Sequence, residues 1–176
     1  MKTASSIAGV AIFVLTAAGT ALAQGSGAEA RLKQLNITLP ADQAPAANFV
    51  NAVQAGKLLF LSGNTPGGQW PLKGKVGKDL TIEQGYESAR QTGLIMLGKI
   101  RTALGSLDRV KRVVKVLGMV NSADGFSDQP KVVNGFSDLM VEVFGEAIGK
   151  HARSAVGMAG LPGNAPIEVE MIVEVE

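Results

Sequence analysis

The closing segment of the chain, Ile167-Glu168-Val169-Glu170-Met171-Ile172-Val173-Glu174-Val175-Glu176, alternates apolar and mostly acidic side chains at period two. Successive side chains on a strand point to opposite faces, so this pattern demands one dry face and one wetter face. Any fold must supply a layer that covers Ile167, Val169, Met171, Val173 and Val175. A second strand is expected just upstream at His151-Ala152-Arg153-Ser154-Ala155-Val156. Between the two lie Leu161-Pro162-Gly163-Asn164 and Ala165-Pro166, which carry turn chemistry. The two strands are expected to pair as a hairpin folding back near residues 160–161, with Arg153 opposite Glu168. That pairing is either an ordinary cross-strand ion pair or the start of a site. The guanidinium fork suits a carboxylate ligand, and a glutamate can move a proton or orient a water.

Two amphipathic helices can cover the dry face. Across residues 81–104, Ile82, Tyr86, Ala89, Gly93, Met96, Leu97, Ile100 and Leu104 keep the three-to-four spacing of one buried side. Thr81 with Gln84 fits a capping box, and Gly105 fits a helix stop. A second helix begins at Asp128 with Pro130 in its first turn. It carries Val133, Phe136, Met140, Val143, Phe144 and Ala147 and ends at Gly149. Short strands are expected at residues 49–53 and 57–62, joined by a turn, and a Val-rich strand at 110–120. The order is therefore β-β-α-β-α-β-β, an α+β fold with a mixed sheet and both helices packed on one face. With no third layer in the sequence, self-association is the economical cover for the other face.

Residues 63–78 hold five Gly, two Pro and Trp70. So long a loop either borders a binding site or is a mobile surface segment with Trp70 lying outside. Residues 1–23 read as a secretory signal peptide. Lys2 precedes a short apolar run, and Ala21-Leu22-Ala23 forms a small-x-small cleavage site. This predicts a periplasmic or secreted protein with no membrane attachment after cleavage. Residues 24–45 are expected as an N-terminal arm, flexible up to Ala30, with one or two helical turns near residues 29–35 and an irregular stretch after them. The main domain is expected at 46–176.

Composition narrows the chemistry. There is no Cys, and His151 is the only histidine, so a thiol nucleophile, a disulfide framework and a Cys- or His-rich metal site are excluded. Basic and acidic residues nearly balance, which does not suggest a nucleic-acid partner. Arg109, Lys111, Arg112 and Lys115 lack interleaved aromatics and read as a solvated strand entry.

An ordered set of short motifs carries a family resemblance. It comprises Phe60-Leu61-Ser62-Gly63, Ala103-Leu104-Gly105-Ser106-Leu107-Asp108-Arg109-Val110, Asn134, Ala152-Arg153-Ser154, Leu161-Pro162 and Ile167-Glu168-Val169-Glu170. Together they resemble the Rid family, the RidA-like enamine and imine deaminases also known as endoribonuclease L-PSP. The resemblance implies a chorismate-mutase-like fold, a homotrimer with clefts between subunits, and no metal or organic cofactor. It implies hydrolysis of reactive enamines and imines of the 2-aminoacrylate type to 2-keto acids and ammonia. Carried over by motif, Arg153 would grip the substrate carboxylate at the subunit interface and Glu168 would manage the water or the proton. Ser62, Gly63 and Asn134 would line the cleft. Phe49 stands where the family often has a Tyr and cannot donate a hydrogen bond, and Ala155 stands where it has a Cys. The segment 145–150 and the loop 63–78 are longer than usual, which marks a divergent branch. Two other functions fit the same residues: a non-catalytic module that holds a small carboxylate in the same cleft, and, less readily, a ribonuclease.

Overall fold

The computed structural model describes residues 27–45 and 47–176. The expected leader, residues 1–23, lies outside the described residues. The elements run α1 (Ala28–Gln34), β1 (Ala52–Ala55), β2 (Leu58–Asn64), α2 (Ile82–Leu104), β3 (Val110–Asn121), α3 (Gln129–Phe144), α4 (Glu146–Gly149), β4 (Ala152–Met158) and β5 (Ile167–Val175). The five strands form one mixed sheet in the order β1-β2-β5-β3-β4. The α+β architecture expected from the helix and strand periodicities is the one found.

β5 sits at the centre of the sheet, antiparallel to both β2 and β3. Its odd-numbered residues from Ile167 to Val175 are all buried, the dry face that the alternation demanded. Val113, Val116 and Val120 of β3 join them against Met96, Leu97 and Ile100 of α2 and Phe136, Leu139 and Met140 of α3. α2 starts with the expected capping box: the Thr81 side chain accepts from the Gln84 amide and the Gln84 side chain accepts from the Thr81 amide. It ends at Gly105, whose φ of 81° is left-handed. α2 and α3 cross closely at Gly135, where a side chain would strike the Tyr86 carbonyl. α3 ends earlier than expected, at Gly145 (φ 76°), and a separate short turn, α4, runs on to Gly149. Ala147, expected in the apolar stripe, is exposed beyond that break.

The closing strands do not form a hairpin. β4 lies parallel to β3, with Arg153 level with Val116. β5 lies antiparallel on the other side of β3, with Glu168 level with Met119. The physical reason is the longest strand of the chain, β3, with twelve residues. β3 satisfies its backbone on both edges by inserting between the two, and the residues connecting β4 to β5 are long enough to cross one strand, a span of about 10 Å. They do so around a one-turn helix, Pro162–Asn164. The end of β3 is held from both sides, Asn121 N–H donating to the Pro166 carbonyl and Ser122 N–H to that of Met158.

The start of the chain is not a loose lead where it is described. Ala28 and Leu32 of α1 are buried in the core. Glu29 binds Arg101 through two hydrogen bonds of 2.9 and 2.6 Å and accepts from the Leu107 amide at 3.0 Å. Residues 37–45 then run irregularly along α2, close enough that a side chain at Gly98 would strike the Pro40 carbonyl. The long loop is also fixed. Lys75 Nζ donates to Asn121 Oδ1 and to the carbonyls of Ser122 and Ala159, and Val76 is fully buried. The Trp70 indole N–H donates to Ser88 Oγ at 2.9 Å, so the ring is docked on α2 and only partly exposed. No helix among the described residues is long and apolar enough to cross a membrane.

Candidate functional site

The six residues singled out from the sequence fall into three places. Arg153 and Asn134 stand together. Arg153 projects from β4 toward α3, where one guanidinium nitrogen, Nη1, donates to Asn134 Oδ1 at 2.8 Å and to Ser137 Oγ at 3.0 Å. Nη2 reaches the Pro130 carbonyl at 3.5 Å, a weak contact. All three acceptors are neutral. Among the described residues Arg153 makes no ion pair, with Glu168 or any other carboxylate. The cross-strand ion pair expected from the hairpin is therefore absent, because β3 separates the two strands.

Ser137 extends this cluster to the only histidine. Its hydroxyl lies 3.1 Å from His151 Nε2, and His151 Nδ1 lies 2.6 Å from the Gly149 carbonyl. A carbonyl only accepts, so Nδ1 carries the proton of the neutral ring and Nε2 accepts from Ser137. Burial is the main influence holding the His151 pKa below the ordinary value. The Gly149 carbonyl opposes it, and the Arg153 charge adds to it. A neutral His151 thus orients the Ser137 hydroxyl, whose lone pairs face Arg153. Sequence reasoning left Ser137 out and read His151 as a surface or interface residue rather than a base. The spacing Asn134–Ser137, one helical turn, was the available signal for the first.

Glu168, Gly63 and Phe49 form the second group, on the wall of one cavity. The Glu168 carboxylate lies so close over Gly63 that any side chain there would collide with it. A β-bulge between Leu61 and Asn64 creates the approach. Burial chiefly, then the neighbouring Glu170 charge, raises the Glu168 pKa above the usual carboxylate value. Such a group can both take up and return a proton nearer to neutrality. Phe49 is largely exposed.

Ser62 stands apart from both. Its hydroxyl donates to the Val50 carbonyl at 2.6 Å, which ties the approach of β1 to β2. It borders a groove over the uncovered sheet face with Lys115, Ser154 and Glu170. Arg153 shares the helix side of the sheet with its level partner Val116. Glu168 shares the opposite side with its level partner Met119. Within the described chain the two are not brought together: the partners of Arg153 (Asn134, Ser137, Pro130) are not among the residues lining the cavity that holds Glu168. Among the described residues no cluster of three His, Asp or Glu could hold a metal ion.

A family model described as "YjgF/chorismate_mutase-like, putative endoribonuclease" matches residues 29–175. Protein TCP17 of Trypanosoma cruzi is 47% identical over 149 residues, covering 82% of this chain and 92% of its own. A 2-iminobutanoate/2-iminopropanoate deaminase of Dermatophagoides farinae is 29% identical over 140 residues, covering 80% and 95%. The crystal structure of Atu1372, a protein of unknown function from Agrobacterium tumefaciens, is 40% identical and superposes with a TM-score of 0.76 over 84% of this chain and 91% of that one.

Proposed function

The chain belongs to the YjgF/chorismate mutase-like, or Rid, family, and within it we propose a hydrolytic deaminase that converts small reactive enamines and imines of the 2-aminoacrylate type to 2-keto acids and ammonia. The observation that carries this reading is Arg153, a guanidinium held by three neutral acceptors with no carboxylate beside it. A partly buried cation fixed in that way is a receptor for an anion, because a substrate carboxylate supplies the missing charge through a bidentate bond. The deaminase among the relatives supports the same chemistry.

The reaction needs a water, a base and an acid. Glu168 takes a proton from water as the oxygen attacks the imine carbon, which gives a carbinolamine. Starting from the protonated imine, the same carboxyl returns that proton to the carbinolamine nitrogen and then takes the hydroxyl proton as the C–N bond breaks, so that ammonia leaves with the 2-keto acid and the carboxyl gives its proton to solvent. An enamine first takes a proton on its methylene carbon to become the imine. The raised pKa of Glu168 suits a group that must work in both directions.

Because Arg153 and Glu168 lie on opposite sides of one sheet, the reading requires that a substrate be held by Arg153 of one copy and met by Glu168 of another. A homotrimer with the cleft between subunits satisfies this, and the apolar uncovered face, with Val53, Phe60 and Val156 exposed, gives the copies a surface to share. The expected signal peptide adds export to a periplasmic or secreted address. The test is ammonia release from freshly generated 2-aminoacrylate. Arg153→Ala and Glu168→Gln should each abolish it, and a mixed assembly of the two variants should recover part of it, since some clefts then hold both native residues. Full activity in Arg153→Ala overturns the reading.

Phe49 lacks a hydroxyl and the Ser62 hydroxyl is committed to Val50, which favours the second function, a non-catalytic carboxylate-binding module. Saturable thermal stabilisation by 2-keto acids with no ammonia release from any imine would select it.

A further inference from the structure

The cavity that holds Glu168 has a volume of about 740 Å³. A six-heavy-atom substrate displaces only a few waters, on the order of 100–150 Å³ at about 30 Å³ each. In one chain the space therefore extends well beyond such a substrate. It is built by parts of the chain that the catalytic reading does not use: residues 40–43 of the arm, the glycine-rich loop, and one stripe of α2.

That stripe is Gln91, Ile95 and Lys99, all on the cavity wall. They stand four residues apart on one face, so the row spans about 12 Å. Trp70 also lines the cavity, with its ring fixed to α2 through Ser88, whose own hydroxyl donates to the Gln84 carbonyl. The wall is thus formed in advance of any ligand. Lys99 is buried and bound to Asp42 at 3.2 Å, with side chains only 8% and 17% exposed. Its charge is balanced by that pair, and Asp42 is itself held by the Asn51 amide. No uncompensated cation is left on this wall for a second acidic group. Hydrogen-bonding capacity is left, however. Among the described residues the Gln91 and Gln69 carboxamides make no intramolecular hydrogen bond, and Lys99 Nζ uses one of its three protons.

Building on the deaminase reading, we propose that this cavity selects imines of 2-amino acids with a long, uncharged side chain that ends in a hydrogen-bonding group. The side chain runs past Glu168 along the α2 stripe, its apolar stem against Ile95 and Trp70 and its polar end at the carboxamides and Lys99. Residues Ile95 and Gln91 determine specificity without touching the reacting atoms.

The stable 2-keto acid products serve as probes by calorimetric titration of the full chain. 4-Hydroxyphenylpyruvate carries a long uncharged side chain with a terminal hydroxyl. Pyruvate has only a methyl, and 2-oxoglutarate carries a charged end. 4-Hydroxyphenylpyruvate should bind about tenfold or more tightly than either of the others. Ile95→Trp, which fills the stripe, and Gln91→Leu, which removes a polar contact at constant size, should each cut that preference by about tenfold. Equal affinity for the three keto acids, an unchanged preference in both variants, or no saturable binding of any of them overturns the proposal. Arg153→Ala separates this outcome from failure of the deaminase reading, since it should weaken all three probes by a common factor and leave their ratio in place. A preference that persists while no imine releases ammonia would retain the cavity assignment and reject the hydrolysis.

Discussion

Arg153 ends a line of three side chains, His151, Ser137 and Arg153 itself, and the line has a polarity. His151 accepts from Ser137 only while the ring is neutral, and Ser137 in turn offers its lone pairs to Arg153. Ser137→Ala removes one of the two good acceptors on Nη1, a charge-assisted bond worth about 1.5–3 kcal/mol. The substrate carboxylate would then meet a mobile guanidinium. KM for carboxylate-bearing imines should rise about tenfold or more with kcat little changed, and steady-state kinetics against Asn134→Ala gives the comparison. The pH dependence of stability has a definite sign. The folded chain binds the His151 proton less readily than the unfolded chain does. The stabilisation is complete above the ordinary histidine value and is lost as pH falls toward the lowered folded value. Thermal melts of His151→Gln should not show that loss in the same window. Glu168 behaves oppositely. Its raised pKa contributes stability at pH below the ordinary carboxylate value, which is lost as pH rises through the folded value. In the proposed role of base it must be ionised, so the acid limb of kcat/KM should lie above the usual carboxylate range. Glu170→Gln should move that limb to lower pH by removing the like charge.

At the scale of elements, local patterns were readable and pairings were not. The capping box of α2, the Gly105 stop and the alternation of β5 each rest on residues close in sequence, so periodicity alone recovered them. The β4–β5 hairpin failed because turn residues say that a chain changes direction, not how far it travels before pairing. Leu161-Pro162-Gly163-Asn164 builds a crossing over β3 as readily as a hairpin bend. Arg153 and Glu168 were identified from motifs, but their separation could not be, since it depends on β3 arriving between them. The same limit hid the role of Lys75. Nothing in its local sequence indicates three acceptors from the ends of β3 and β4, residues 46 to 84 positions away. Lys75→Met should cost about 1–3 kcal/mol by leaving these oxygens without their donor. Hydrogen exchange should show the loss first in the glycine-rich loop and at the end of β3. A variant with unchanged stability and protection would mean that Val76 and the backbone alone hold the loop.

The whole molecule has a helix-covered side and an uncovered one, and the uncovered side is ordered in rows. Val53, Phe60, Ile172, Lys115 and Ala152 are level across all five strands. Phe60 is 41% exposed and Val53 54% exposed, while Lys115 donates to Ser154 in the adjoining row. A row of aromatic and branched side chains open to water is stable in one chain but is better buried against further copies. Phe60→Asp separates these two states. In a lone chain the new carboxylate stays hydrated and costs little, because the position is already exposed. In an assembly it is buried without a partner, a penalty of several kcal/mol. Sedimentation should therefore find a monomer that still melts cooperatively. Ammonia release should fall to background although Arg153, Asn134, Ser137 and Glu168 are all intact, because the first three and the last lie on opposite sides of every single sheet. A monomeric Phe60→Asp that keeps native turnover would mean that one copy completes the site through a rearrangement of β4, and the shared cleft would have to be abandoned.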